Sequence, residues 1–116
     1  MNLNNFTFNT TSGIRFGSGM SVSSTQEISK ILGSNILFIT DKDLMSLKLT
    51  EPTLNELKKF SSKVEIFEDV EADPSLKTLL KSIEIGKKMN ATGVIGFGGG
   101  SSMDVAKLTS LILGSD

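Results

Sequence analysis

The spacing of apolar and polar residues changes several times along the chain, and each change predicts an element. Phe6-Thr7-Phe8-Asn9-Thr10 alternates, Ser12-Gly13 signals a turn and Ile14-Arg15-Phe16-Gly17 follows, which predicts a short N-terminal β-hairpin, a lid or edge element. Ser24 with Glu27 three residues on has the form of a capping box. Ile28, Ile31 and Leu32 follow at helical spacing and Gly33 suits a left-handed terminus, so a helix is predicted over about 24–32.

Ile36-Leu37-Phe38-Ile39 is a continuous apolar run with β-branched members, as expected of a strand covered on both faces in a parallel sheet, and it ends at Thr40-Asp41. A helix from about Leu54 to Phe60, with Pro52 tolerated in its first turn, leads to a second strand at Val64-Glu65-Ile66-Phe67. Asp73 before Pro74 reads as an N-cap followed by proline at the first helical position. Leu76, Leu79, Leu80 and Ile83 then form one apolar stripe of a helix reaching about Asn90. Gly93-Val94-Ile95-Gly96-Phe97 is the third strand. Gly98-Gly99-Gly100-Ser101 turns the chain into a last helix predicted to carry Val105, Leu108, Leu111 and Ile112 inward.

Three strand-helix pairs after a leading helix imply right-handed crossovers and a parallel sheet covered on both faces. The fold class is therefore α/β, a Rossmann-like doubly wound sheet with an N-terminal β-hairpin. Residues 1–116 form one domain, large enough to bury roughly two thirds of its unfolded surface.

Composition narrows the chemistry. The 12 Lys and Arg nearly balance 13 Asp and Glu, so no nucleic-acid partner is expected. There is no Cys and no His, which removes thiol catalysis, zinc-thiolate sites, histidine bases and histidine-ligated metals from these residues. No stretch approaches the roughly 20 apolar residues of a membrane span, and the start lacks the basic flank and apolar run of a signal peptide. A cytoplasmic protein without a membrane partner is expected.

Three consecutive glycines between a strand and a helix allow close approach to a pyrophosphate, and the helix N-terminus favours an anion there. Gly98, Gly99, Gly100 and Ser101 are the candidate cradle. The run is neither G-x-G-x-x-G nor a P-loop, and a plain tight turn is the alternative.

The longer string Gly98-Gly99-Gly100-Ser101-Ser102-Met103-Asp104-Val105-Ala106-Lys107 resembles the GGGSxxDxAK signature of the iron-containing (group III) alcohol dehydrogenases. Phe16-Gly17-Ser18-Gly19 resembles that family's FGxG, Thr40-Asp41-Lys42 its TDK, and Glu71-Ala72-Asp73-Pro74-Ser75 its EPNPT segment. The four motifs stand in family order and cover nearly the whole chain. The resemblance extends to the dehydroquinate-synthase-like superfamily.

This resemblance implies an N-terminal nucleotide-binding domain, followed in family members by a helical domain whose Asp and three His hold iron(II) or zinc. That domain is absent from this chain, which ends at Gly114-Ser115-Asp116 directly after a helix and is expected to begin a longer protein. In such enzymes the metal polarises an alcohol or carbonyl oxygen while hydride moves to or from NAD in the interdomain cleft.

The resemblance also suggests residue roles. Asp41 matches a position facing the adenosine ribose, where a carboxylate favours NAD over NADP. Two like charges at about 4 Å repel by about 4 kcal/mol at an effective dielectric of about 20. Otherwise Asp41 only caps a turn. Asp104 matches a position near the nicotinamide, although a carboxylate in a first helical turn is stabilised there in any case. Lys107 is expected to pair with Asp104. Asp73 stands where the family has Asn, keeping the cap but replacing an amide donor with a charge. Ser102 stands where Pro is frequent and adds a hydroxyl within reach of a phosphate. The scattered Met residues read as core filling or surface turns, and Lys58-Lys59 and Lys87-Lys88 as solvated helix faces.

The expected function is the NAD-binding part of a metal-dependent, homo-oligomeric dehydrogenase acting on a small alcohol or aldehyde, inactive as this segment alone. Alternatives are a glycerol dehydrogenase or dehydroquinate-synthase-like relative, and a stand-alone nucleotide-binding module without chemistry.

Overall fold

The computed structural model describes residues 12–16, 30 and 32–114. The first hairpin arm, the end of the FGxG motif and the 24–27 capping box lie outside these residues.

The elements run β1 (Ser12–Phe16), β2 (Asn35–Ile39), α1 (Lys42–Ser46), α2 (Glu51–Phe60), β3 (Lys63–Phe67), α3 (Leu76–Lys88), β4 (Gly93–Phe97) and α4 (Gly100–Leu113). The four strands form one parallel sheet in the order β1-β4-β2-β3. β1 includes Ser12 and Gly13, which the pattern assigns to a turn, because both continue the parallel register with β4.

The two central strands, β2 and β4, are strands for the reason their composition suggests, whereas β3 at the sheet edge is only partly buried and keeps Glu65 in its run. Ile36, Phe38 and Ile95 point to one face and pack with Leu54 and Leu57 of α2, while Leu37, Ile39 and Val94 point to the other and pack with Val105 and Ala106 of α4. A strand buried on both sides cannot alternate with polar residues, hence the unbroken apolar runs. Gly33 follows the helical residue Leu32 at φ +86°, the left-handed terminator expected of it.

Three helix details differ from the pattern. α1 is a short extra helix after β2, capped by Asp41. α3 starts at Leu76 with Ser75 as N-cap, whose hydroxyl accepts from the Thr78 N–H; Asp73 is exposed and caps nothing. The register shifts because the Thr78 hydroxyl donates to Glu71 and the Ser101 hydroxyl to the Ala72 carbonyl, which keeps 71–75 out of the helix.

The faces of α3 and α4 also turn. Leu76 and Leu80 are exposed, as are Leu108, Leu111 and Ile112, whereas Thr78, Ser82, Ile83 and Gly86 of α3 and Ser102, Val105, Ala106, Thr109 and Ser110 of α4 are buried. The two helices meet through small and hydroxyl residues. Ser82 and Thr109 hydrogen-bond at 2.7 Å, and a Cβ on Gly86 would lie only 2.5 Å from Leu113 Cδ1. Close contact, not apolar periodicity, decides which face turns inward.

α2 packs on one face of the sheet and α3 and α4 on the other. Neighbouring strands β2 and β4 therefore send the chain to opposite faces from their C-terminal ends. Such a switch point opens a crevice, and in open α/β sheets that is where ligands bind.

Candidate functional site

Asp41 stands at the β2 side of this crevice. Its Oδ1 accepts the Leu44 N–H at 2.9 Å and caps α1, so the turn-capping role is present in the structure. Its Oδ2 faces the glycine turn from β4: a Cβ on Gly98 would lie 3.5 Å from this oxygen, 3.6 Å from Ser102 Oγ and 2.7 Å from Leu44 Cδ1. Gly98 also has φ +131°, so both backbone and space demand glycine.

Gly99 and Gly100 are glycine for another reason. Nothing lies within 4 Å of a Cβ placed on either. Gly99 is the N-cap of α4 and supplies no side chain to bond the first-turn N–H groups. A helix cannot satisfy those donors internally, and bare backbone there leaves them open to an anion. This arrangement suits a pyrophosphate.

Gly99, Gly100, Ser101 and Ser102 line a cleft of about 780 Å³ together with Asp41, Lys42 and Asp43, the 68–72 loop, and Ser75, Lys77, Thr78 and Lys81. Ser101 Oγ donates to the Ala72 carbonyl at 2.8 Å, tying the glycine turn to the opposite wall. Glu71 lies in that wall. The Thr78 hydroxyl donates to its carboxylate and, with backbone bonds, lowers its pKa; burial and the nearby Asp69 oppose the shift. Lys42 Nζ lies 3.4 Å from Asp69 Oδ1, both side chains being well exposed.

The structure thus brings Asp41, Gly98, Gly99, Gly100, Ser101 and Ser102 together. Asp73 and Asp104 are exposed and outside the cleft lining. The first turn of α4 contains no acidic residue, since the helix already begins at Gly100, and the ion pairs among the described residues do not join Asp104 to Lys107. The pattern overlooks Asp69 and Thr78 and names Glu71 only as part of the EPNPT-like segment. Asp69 follows the end of β3 as Asp41 follows β2, a parallel visible in the sequence.

Among the described residues no group of three or more His, Cys, Asp or Glu is placed to hold a metal ion. None of their helices is long and apolar enough to cross a membrane.

The family model for iron-containing alcohol dehydrogenases matches residues 11–116. The chain belongs to that family. Choline dehydrogenase from Bacillus subtilis is 32% identical over 101 residues, 87% of this chain and 25% of that protein. The crystal structure of an archaeal Red Sea brine pool alcohol dehydrogenase superposes with a TM-score of 0.76 at 25% identity, over 90% of this chain and 26% of that one. NADH-dependent butanol dehydrogenase A from Thermotoga maritima superposes with a TM-score of 0.70 at 27% identity, over 90% and 27%. The chain thus spans about a quarter of the length of these relatives.

Proposed function

We propose that this chain is the NAD-binding part of a divalent-metal-dependent alcohol dehydrogenase that moves a hydride between nicotinamide and a small alcohol or aldehyde. The observation that carries the reading is the bare N-terminus of α4: Gly99 and Gly100 obstruct nothing and stand beside Asp41 at the switch point. The pyrophosphate would accept hydrogen bonds from the first-turn N–H groups of α4. Asp41 Oδ2, next to the turn, would accept the adenosine ribose hydroxyls and repel a 2′-phosphate, favouring NAD over NADP.

Ser101 and Ser102 complete the proposed set with Gly98. Asp73 and Asp104, the latter on the nicotinamide side in this reading, would reach the dinucleotide from outside the cleft lining. NAD, when bound, supplies the hydride acceptor. The iron or zinc of the same reading finds no ligand set among the described residues, so the part they play is to bind and orient the cofactor. Family membership and the NADH-dependent relative support the dehydrogenase and NAD parts of the reading, which a cytoplasmic homo-oligomer completes.

The chain has no Trp or Tyr, so NADH fluorescence can be followed without interference from them. Titration of the 116 residues should give saturable enhancement that ADP-ribose reverses, with no alcohol oxidation. Absence of saturable binding overturns the reading.

A further inference from the structure

We propose that Asp69 is a second determinant of nucleotide choice: by holding the Lys42 ammonium it withholds from a ribose 2′-phosphate the cation that stands next to Asp41. This rests on the reading that the cleft takes the dinucleotide.

The geometry joins two strand ends. Beyond the last residues of β2 and β3, Asp41 and Asp69 are paired by an isolated antiparallel bridge, and both line the cleft. Asp41 is committed to capping α1 through Oδ1. Asp69 instead faces Lys42, whose Nζ is 3.4 Å from its Oδ1. Asp43 and Glu68 line the same rim.

A monoester phosphate carries about −1.5 to −2 charges at neutral pH. It would meet a cleft lined by five carboxylates, Asp41, Asp43, Glu68, Asp69 and Glu71, and three ammoniums, of Lys42, Lys77 and Lys81, and Lys42, the one next to Asp41, is already paired. Removing Asp41 alone therefore leaves the rim acidic and costs α1 its cap. Neutralising Asp69 does two things at once: it removes a repelling charge and releases Lys42 to bind the phosphate. An exposed pair of this kind adds little to stability, so neutralising Asp69 should leave the fold intact.

The test is calorimetric titration of the full chain with NAD+ and NADP+, comparing wild type, Asp69→Asn, Lys42→Met and the double variant. Asp69→Asn should raise NADP+ affinity relative to NAD+ by about tenfold, about 1.4 kcal/mol. The double variant should lose that gain. An unchanged ratio in Asp69→Asn, with NAD+ still bound, overturns this inference and leaves the proposed function standing. A gain that persists without Lys42 also overturns it, since charge removal alone would then suffice. Failure of wild type to bind NAD+ overturns the underlying reading and this inference with it. Asp69→Ser, checked by thermal melting, guards against a folding defect in the Asn variant and should change the ratio in the same direction.

Discussion

Ser101 Oγ donates to the carbonyl of Ala72 at 2.8 Å, across 29 residues of sequence, and so joins the first turn of α4 to the loop that precedes α3. One hydroxyl thereby connects the two walls of the cleft. Its proton is committed to Ala72, while its lone pairs stay available.

Ser101→Ala should therefore act on both fold and binding. A net hydrogen bond is worth about 0.5–1.5 kcal/mol, and loss of stability within that range is expected in denaturant unfolding. NADH affinity should fall several-fold as the walls move independently. Unchanged affinity alongside reduced stability would restrict the bond to a structural role.

The glycines of the turn should separate into two kinds. Gly98→Ala forces a Cβ to within 2.7 Å of Leu44 Cδ1 at φ +131°, and a loss of about 1–3 kcal/mol is expected from the strain. Gly99→Ala and Gly100→Ala meet nothing within 4 Å, so melting temperatures should stay close to wild type while NADH binding weakens. Melting curves and titrations on the same three proteins distinguish the cases.

Ser82 and Thr109 are buried and bonded at 2.7 Å where α3 meets α4. Ser82→Ala leaves the Thr109 hydroxyl buried without its partner, a loss of about 1–3 kcal/mol. Pairing it with Thr109→Val should recover part of that loss, because an apolar pair leaves no polar group unmatched. A double-mutant cycle reads the coupling; strictly additive losses would sink the idea.

Acid should weaken the wall of the cleft through Glu71. Its folded pKa is lowered chiefly by the Thr78 hydroxyl, so it binds fewer protons folded than unfolded. The resulting stability is complete above the unfolded carboxylate value of about 4.3 and is lost as the pH falls through the lower folded value. Thr78→Val removes the main cause. Its stability should vary less than wild type's between pH 6 and about 3, measured by urea unfolding at a series of pH values.

Much of the fold could be read directly because both faces of the sheet are covered. Runs such as Ile36 to Ile39 have no other use in a chain of this size, and Pro52 fits only a first helical turn. Gly33, with its left-handed φ, ends a helix as its type suggests. The inner faces of α3 and α4 were hidden for a physical reason. Their contact uses Ser82, Thr109 and Gly86, residues whose polarity or lack of side chain carries no apolar signal, while Leu76 and Leu80 lie outside. The cap of α3 was likewise decided by tertiary bonds from Thr78 and Ser101, which local patterns of Asp, Pro and Ser do not encode. At the site, the glycine turn and Asp41 were readable as motif and strand end. Asp69 and Glu71 become neighbours of that turn only when the sheet is assembled.

The strand order has a consequence for how the molecule forms. β1 pairs with β4, which comes after both β2 and β3 in sequence, and the last central strand to be made is the one that joins both halves of the sheet. During synthesis β1 must wait, unpaired with β4, until nearly all of these residues have emerged. β2 and β3 can meet earlier. Assembly should thus be slow and late in its decisive step, as expected of parallel sheets rich in distant contacts, and the interval before β4 arrives is when chaperones have most to protect.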